Sequence, residues 1–193
     1  MYGMVNRLAR TMALTGGVVL MALVIMTCVS IAGRVTNGVL HADWVEAVAG
    51  GTARWLIDAG VGPVNGDFEI LEAGVAFAIF SFLPICQLYG AHATVDVFTS
   101  FLSDRANRVI AAFWEVVLTG AIILISWRLF EGFLDRYENG QTSWLLQFPM
   151  WWSYLASWIA SAVAAAVGLY CAAARVGESL TGRRILPAGG TVE

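Results

Sequence analysis

The chain has 193 residues, of which 59% are hydrophobic and only 13% are Asp, Glu, Lys or Arg, with a formal net charge of −3. Soluble domains carry about 25% charged residues, so the composition argues against an ordinary soluble globular protein. All eleven basic residues are Arg and none is Lys, and they are scattered, which excludes a nucleic-acid surface built on a dense basic stripe.

The first apolar run spans about 8–32, with Arg7 and Arg10 before or near its start and Arg34 closing it. A positive start and an apolar run resemble a signal peptide. The run is too long for an ordinary h-region of roughly 7–15 residues, and no small-x-small cleavage site with a soluble domain follows, so a retained helix is expected. Within 33–67, the stretch 40–57 places Trp44, Val48 and Trp55 roughly one helical face apart, edged by Asp43, Glu46, Arg54 and Asp58. That pattern predicts an amphipathic helix in the membrane interface with its tryptophans at headgroup depth. Gly50-Gly51 weakens it and is a place for it to split. Gly60 to Gly66, with Pro63 inside, reads as a turn.

The second span is 68–91. Its core, Ala73 to Ala91, holds no charge in nineteen residues. At 1.5 Å per residue that is about 28 Å, close to the roughly 30 Å of a hydrocarbon layer. Glu69 and Glu72 mark its start, where carboxylates suit the helix dipole, and Pro84 predicts a bend late in it. Residues 92–108 form a polar connector, and Ser103-Asp104 is a cap signal for the next helix. The third span is about 109–130, interrupted by Glu115, an ionisable residue that marks a functional hypothesis by default. Residues 131–150 read as a solvated turn around Asn139-Gly140. An aromatic group, Trp144, Phe148, Trp151, Trp152 and Tyr154, then leads into the fourth span, 151–174. Ala156, Ser157, Ala160, Ser161 and Ala164 on that span permit close helix approach. Residues 175–193 read as a C-terminal tail, with Arg175, Arg183 and Arg184 first and a frayed end over 187–193.

The expected fold is therefore an all-α integral membrane protein, a single membrane domain over 1–193 with four transmembrane helices and an interfacial amphipathic helix between the first two. Orientation follows from arginine asymmetry. Arg7, Arg10, Arg105, Arg108, Arg175, Arg183 and Arg184 fall on one side, and Arg34, Arg54, Arg128 and Arg136 on the other. Seven against four predicts both termini in the cytoplasm.

No chemistry of catalysis is visible: no HExxH, no GxSxG, no Gly-rich phosphate loop and no paired intramembrane carboxylates. Cys28, Cys86 and Cys171 all lie in apolar runs without a CxxC pair, so no zinc or thiol redox motif is expected. His41 and His92 fall on opposite sides of the membrane, which disfavours a haem held between helices.

Glu72, the stretch Gly90-Ala91-His92-Ala93-Thr94-Val95-Asp96 and the paired Arg105 and Arg108 resemble the G-x-H-x-x-V-D region that follows the second span in the DctQ-like small permease of tripartite ATP-independent periplasmic (TRAP) transporters. Arg34 after the first span, and Phe148-Pro149 with Trp151 and Tyr154 before the fourth, belong to the same ordered pattern. The resemblance covers most of residues 8–175, although the 33–67 segment is longer than the compact link expected of the family.

The resemblance implies an accessory scaffold subunit of the bacterial inner membrane. Its partners would be a large multi-span permease, a periplasmic substrate-binding protein and membrane lipid. The transporter would import small organic acids, with the sodium ions and the substrate site in the large subunit and no cofactor in this one. Candidate contact residues are Arg34, Glu72, His92, Asp96, Arg105 and Arg108. His92 and Asp96 share a face if the helix persists, Arg105 and Arg108 suit lipid phosphate, and Glu72 is placed to pair with Arg34 or Arg54. Without the resemblance, the same features fit a four-helix anchor or assembly subunit of another inner-membrane complex, including a haem-free redox anchor.

Overall fold

The computed structural model of the chain describes residues 2–90 and 104–181. Five helices account for nearly all of them: α1 (Tyr2–Leu40), α2 (Asp43–Asp58), α3 (Asp67–Tyr89), α4 (Asp104–Glu138) and α5 (Trp151–Thr181). All but α2 are long and apolar enough to cross a membrane.

Three of the four are longer than the apolar runs that predict them. α1 has 39 residues, about 58 Å at 1.5 Å per residue, and Arg34 lies inside it rather than at its end. α4 has 35 residues and continues through Glu138, so the expected solvated turn at 131–138 is helix. Local side-chain pairs carry it beyond the apolar region: Trp127 Nε1–H and the Arg128 guanidinium both donate to Glu131, and the Asn139 amide donates to Asp135. Such i,i+3 and i,i+4 pairs stabilise a helix once it leaves the bilayer. The chain turns at Gly140, where φ is +58°. α3, by contrast, matches the bilayer: 23 residues, about 34 Å. Pro84 is buried inside it, and the helix runs on through it to Tyr89.

α2 is helical where the tryptophan spacing places it. Its backbone leaves helical geometry at Ala49, with φ −138° and ψ 32°, beside the glycine pair. Trp55 and Val48 are exposed and Ala53 is buried.

The four long helices form an open row. α1 packs on α3, α3 on α5 and α5 on α4, while α1 only grazes α5. On α1 the buried residues are Ala9, Gly16, Leu23 and Ser30, spaced seven apart. A seven-residue period keeps one seam on one neighbour at a shallow crossing angle. That neighbour is α3: Leu23 sits against Gly74, and a Cβ on Gly16 would come 2.6 Å from the Ser81 Cβ. α5 is the enclosed member of the row. Its buried face is small, with Ser157, Ala160, Ser161, Ala164 and Gly168, so α3 and α4 both approach it closely. The small-residue face thus serves helices of this chain. At the opposite end of the row, nearer the N-terminus and termed inner after the orientation expected from the arginines, Ala9, Leu88, Val167 and Cys171 close the apolar core where α1, α3 and α5 meet.

Candidate functional site

The end of the row that carries α2 and the 141–150 loop, termed outer after the orientation expected from the arginines, is tied by polar contacts between segments far apart in sequence. Ser30, fully buried on α1, donates to Asp67 Oδ2 at the start of α3, 2.5 Å away, and accepts from the Val64 N–H at 3.2 Å. Arg34, one turn on, donates to the same carboxylate oxygen at 3.2 Å. The Asn37 amide donates to the Val61 carbonyl at 3.2 Å. Gly33 makes this possible: a Cβ there would run into the Gly62 carbonyl, so two backbones meet at a point only glycine fits.

A second tie lies across α3. Glu69 accepts from the N–H groups of Leu145 and Leu146 at 2.6 and 2.9 Å. Two successive backbone N–H groups on one carboxylate form an anion-binding nest. It fixes the 141–150 loop, which is also closed by the Ser143–Phe148 and Gln141–Met150 backbone hydrogen bonds. Gln147 adopts a left-handed conformation, φ 55°, and Trp144 is held out with 90% of its surface exposed.

Below this loop lies a cleft of about 530 Å³ between α3 and α4, floored by α5. Its mouth carries Glu69 and Glu72 with Thr142 and Ser143. Deeper it is lined by Ala73, Ala76, Leu129, Phe148 and Met150, with Tyr154 and Ser157 on the floor. The α3 side thus carries both carboxylates above an apolar wall, and the α5 floor carries the hydroxyl groups of Ser153, Tyr154 and Ser157.

The inner end is built differently. Gln87 is 0% exposed, Thr119 3% and Glu115 6%. The amide atoms of Gln87, Thr119 Oγ1 and Glu115 Oε1 have no hydrogen-bond partner among the described residues. Gln87 and Thr119 converge on Gly168 of α5, where a Cβ would lie 2.8 Å from Gln87 Nε2 and 3.1 Å from Thr119 Oγ1. Arg175 and Cys171 lie within electrostatic reach of Glu115, and Arg175 donates to Glu178 at 3.3 Å. Arg10 donates to the Tyr89 hydroxyl, which donates to Asn6, both at 3.2 Å. One turn-pair further out, Ser161 donates to Ser126 at 3.1 Å and joins α5 to α4.

Of the residues singled out in the sequence, Arg34 is in the outer network, but its carboxylate partner is Asp67 and not Glu72. Glu72 stands exposed at the cleft mouth and makes no ion pair among the described residues. Arg105 lies in the first turn of α4, and Arg108 one turn on is half-buried, with its Nε out of solvent. His92 and Asp96 lie outside the described residues. The sequence marks Glu69 only as a dipole neighbour and does not single out Ser30, Asp67 or Gln87. Asp67 and Glu69 open a long apolar run, which signals a helix start. Nothing local marks what they hold.

Four membrane-crossing helices in one row, with α2 following α1 and polar ties at both ends, define an all-α multi-pass membrane protein. Residues 47–177 match the family model for the DctQ component of tripartite ATP-independent periplasmic transporters. The chain belongs to that family, the DctQ components of TRAP-type transporters, and has four helices fit to cross a membrane. It is also similar to a UPF0761 membrane protein of Nitrosospira multiformis, 35% identical over 101 residues. That stretch is 51% of this chain and 20% of the relative, so the chain matches only about a fifth of the relative's length. No solved structure matches the chain.

Proposed function

We propose that the chain is the fixed brace of a sodium-coupled organic-acid importer. It works with a large permease subunit that carries the substrate and a periplasmic binding protein that delivers it. Both termini lie in the cytoplasm, α2 lies in the outer interface, and the 141–150 loop and α2 face the binding protein. The observation that carries this reading is the locked outer end. Ser30, Arg34 and Asp67 tie α1 to α3, and Glu69 ties α3 to the loop before α5. A scaffold against which another subunit moves needs elements that do not slide past one another, and charge-assisted hydrogen bonds between helices and from helix to loop resist sliding.

The test is uptake in proteoliposomes holding the large subunit and binding protein, with and without this chain. Sodium-driven uptake that falls to background without it supports the brace. Undiminished uptake overturns it, as does uptake by this chain alone. A changed preference among organic acids in Asp96→Asn, at equal assembly, would place the subunit in the substrate path and overturn the scaffold role.

A further inference from the structure

We propose that the outer cleft between α3 and α4 is the seat of the large permease subunit, and that Glu72 receives a Lys or Arg from it at the outer membrane surface. The inference deepens the brace reading and rests on it.

Shape and charge point the same way. The cleft exists because α3 and α4 both pack on α5 and not substantially on each other. It is therefore a groove that opens sideways from the row, with α5 as its floor. Its volume, about 530 Å³, lies within the roughly 300–1,000 Å³ of ordinary ligand pockets. That is room for a few anchoring side chains and not for a whole helix. Interfaces draw most of their binding energy from a few such anchors in desolvated pockets.

Charge selects the occupant. The mouth carries two carboxylates, and no Arg or Lys lines the cleft. Glu69 is already held by two backbone N–H groups, whereas Glu72 stands exposed without an ion pair among the described residues. An anionic phospholipid headgroup is repelled by these carboxylates, and a zwitterionic one brings its ammonium with a phosphate that has no guanidinium in the cleft to meet it. A Lys or Arg side chain brings charge of the needed sign and an apolar stem that suits Ala73, Ala76 and Leu129 below. The rim is continuous with Trp144, held clear of the protein by the Glu69 nest, and aromatic residues of this kind are enriched at protein interfaces.

The experiment uses the full chain with Cys28, Cys86 and Cys171 replaced and one cysteine introduced at Ala76, in lipid nanodiscs with and without the large subunit. A membrane-permeant maleimide reports access to the cleft. A cysteine introduced at Val24, exposed on α1, is the control. Recovery of the two subunits together comes first: if they do not co-purify, the brace reading itself fails. If they do, alkylation at position 76 is expected to be roughly tenfold slower in the complex, with position 24 unchanged. Equal alkylation at 76, or protection at 24 alone, overturns the seat. Protection at 76 that requires lipid but not the large subunit makes the occupant a lipid and also overturns it. Glu72→Lys should lower recovery of the complex at least roughly tenfold, because like charges facing each other across an interface repel, and Glu72→Gln should lower it less. Full recovery with Glu72→Lys would remove the cation from the proposal.

Discussion

The two ends of the helix row solve the problem of polar groups near a membrane in opposite ways. At the outer end the buried hydroxyl of Ser30 meets Asp67 and the Val64 N–H, and Glu69 is filled by two backbone N–H groups. At the inner end Gln87, Thr119 and Glu115 are buried much as Ser30 is, yet carry hydrogen-bonding atoms without partners among the described residues. A buried polar group left unpaired costs about 1–3 kcal/mol, whereas a satisfied one contributes about 0.5–1.5 kcal/mol. Removing a polar side chain should therefore destabilise the outer end, and at the inner end it should cost nothing or stabilise.

The sharpest way to break the contrast is steric. Gly33→Ala drives a Cβ into the Gly62 backbone carbonyl, which cannot swing aside as a side chain does. It is expected to destabilise the chain by about 3 kcal/mol, the upper range for overpacking, read as a lowered midpoint in denaturant titration of the purified protein. A midpoint equal to wild type would mean that the α1 and 60–66 backbones do not meet.

The direct comparison is Ser30→Ala against Thr119→Val. The first removes a donor to Asp67 and leaves the Val64 N–H unpaired, and should cost about 1.5 kcal/mol. The second replaces a buried orphan hydroxyl by a methyl of the same shape and should leave stability equal or higher. Equal losses in the two variants would erase the distinction between the ends.

Glu69→Gln keeps the shape of the side chain and removes the charge that two N–H groups share. Cleavage of the 141–150 loop by an added protease should rise roughly tenfold, because a released loop opens without global unfolding. Unchanged cleavage would show that the Gln141–Met150 and Ser143–Phe148 bonds hold the loop by themselves. The smallest effect expected is at Ser161→Ala. It deletes one interhelical hydrogen bond, to Ser126, and hydrogen bonds of this kind between membrane helices average about 0.6 kcal/mol.

The sequence by itself determined the four membrane helices, the shorter helix between the first two, the break beside Gly50-Gly51 and the close-packing face of α5. Each is a local property: an uncharged run of sufficient length, a tryptophan spacing, a glycine pair or a stripe of small residues is readable within one helix. The ordered motif from Glu72 through Arg108 also carried the family. The helix ends were less legible, since α1 and α4 run past their apolar segments on propensity and on pairs such as Arg128–Glu131.

Tertiary structure alone decided that Arg34 belongs to Asp67 and leaves Glu72 at an open cleft, that Glu69 grips a loop 76 residues away, and that Gln87 and Thr119 turn toward the same glycine. In a nearly uniform apolar helix every face looks alike in sequence, because lipid and protein ask for similar side chains. Which residues are buried, and which polar groups meet, is fixed by the order of helices in the row and their rotation about their own axes, and neither leaves a local mark on the chain.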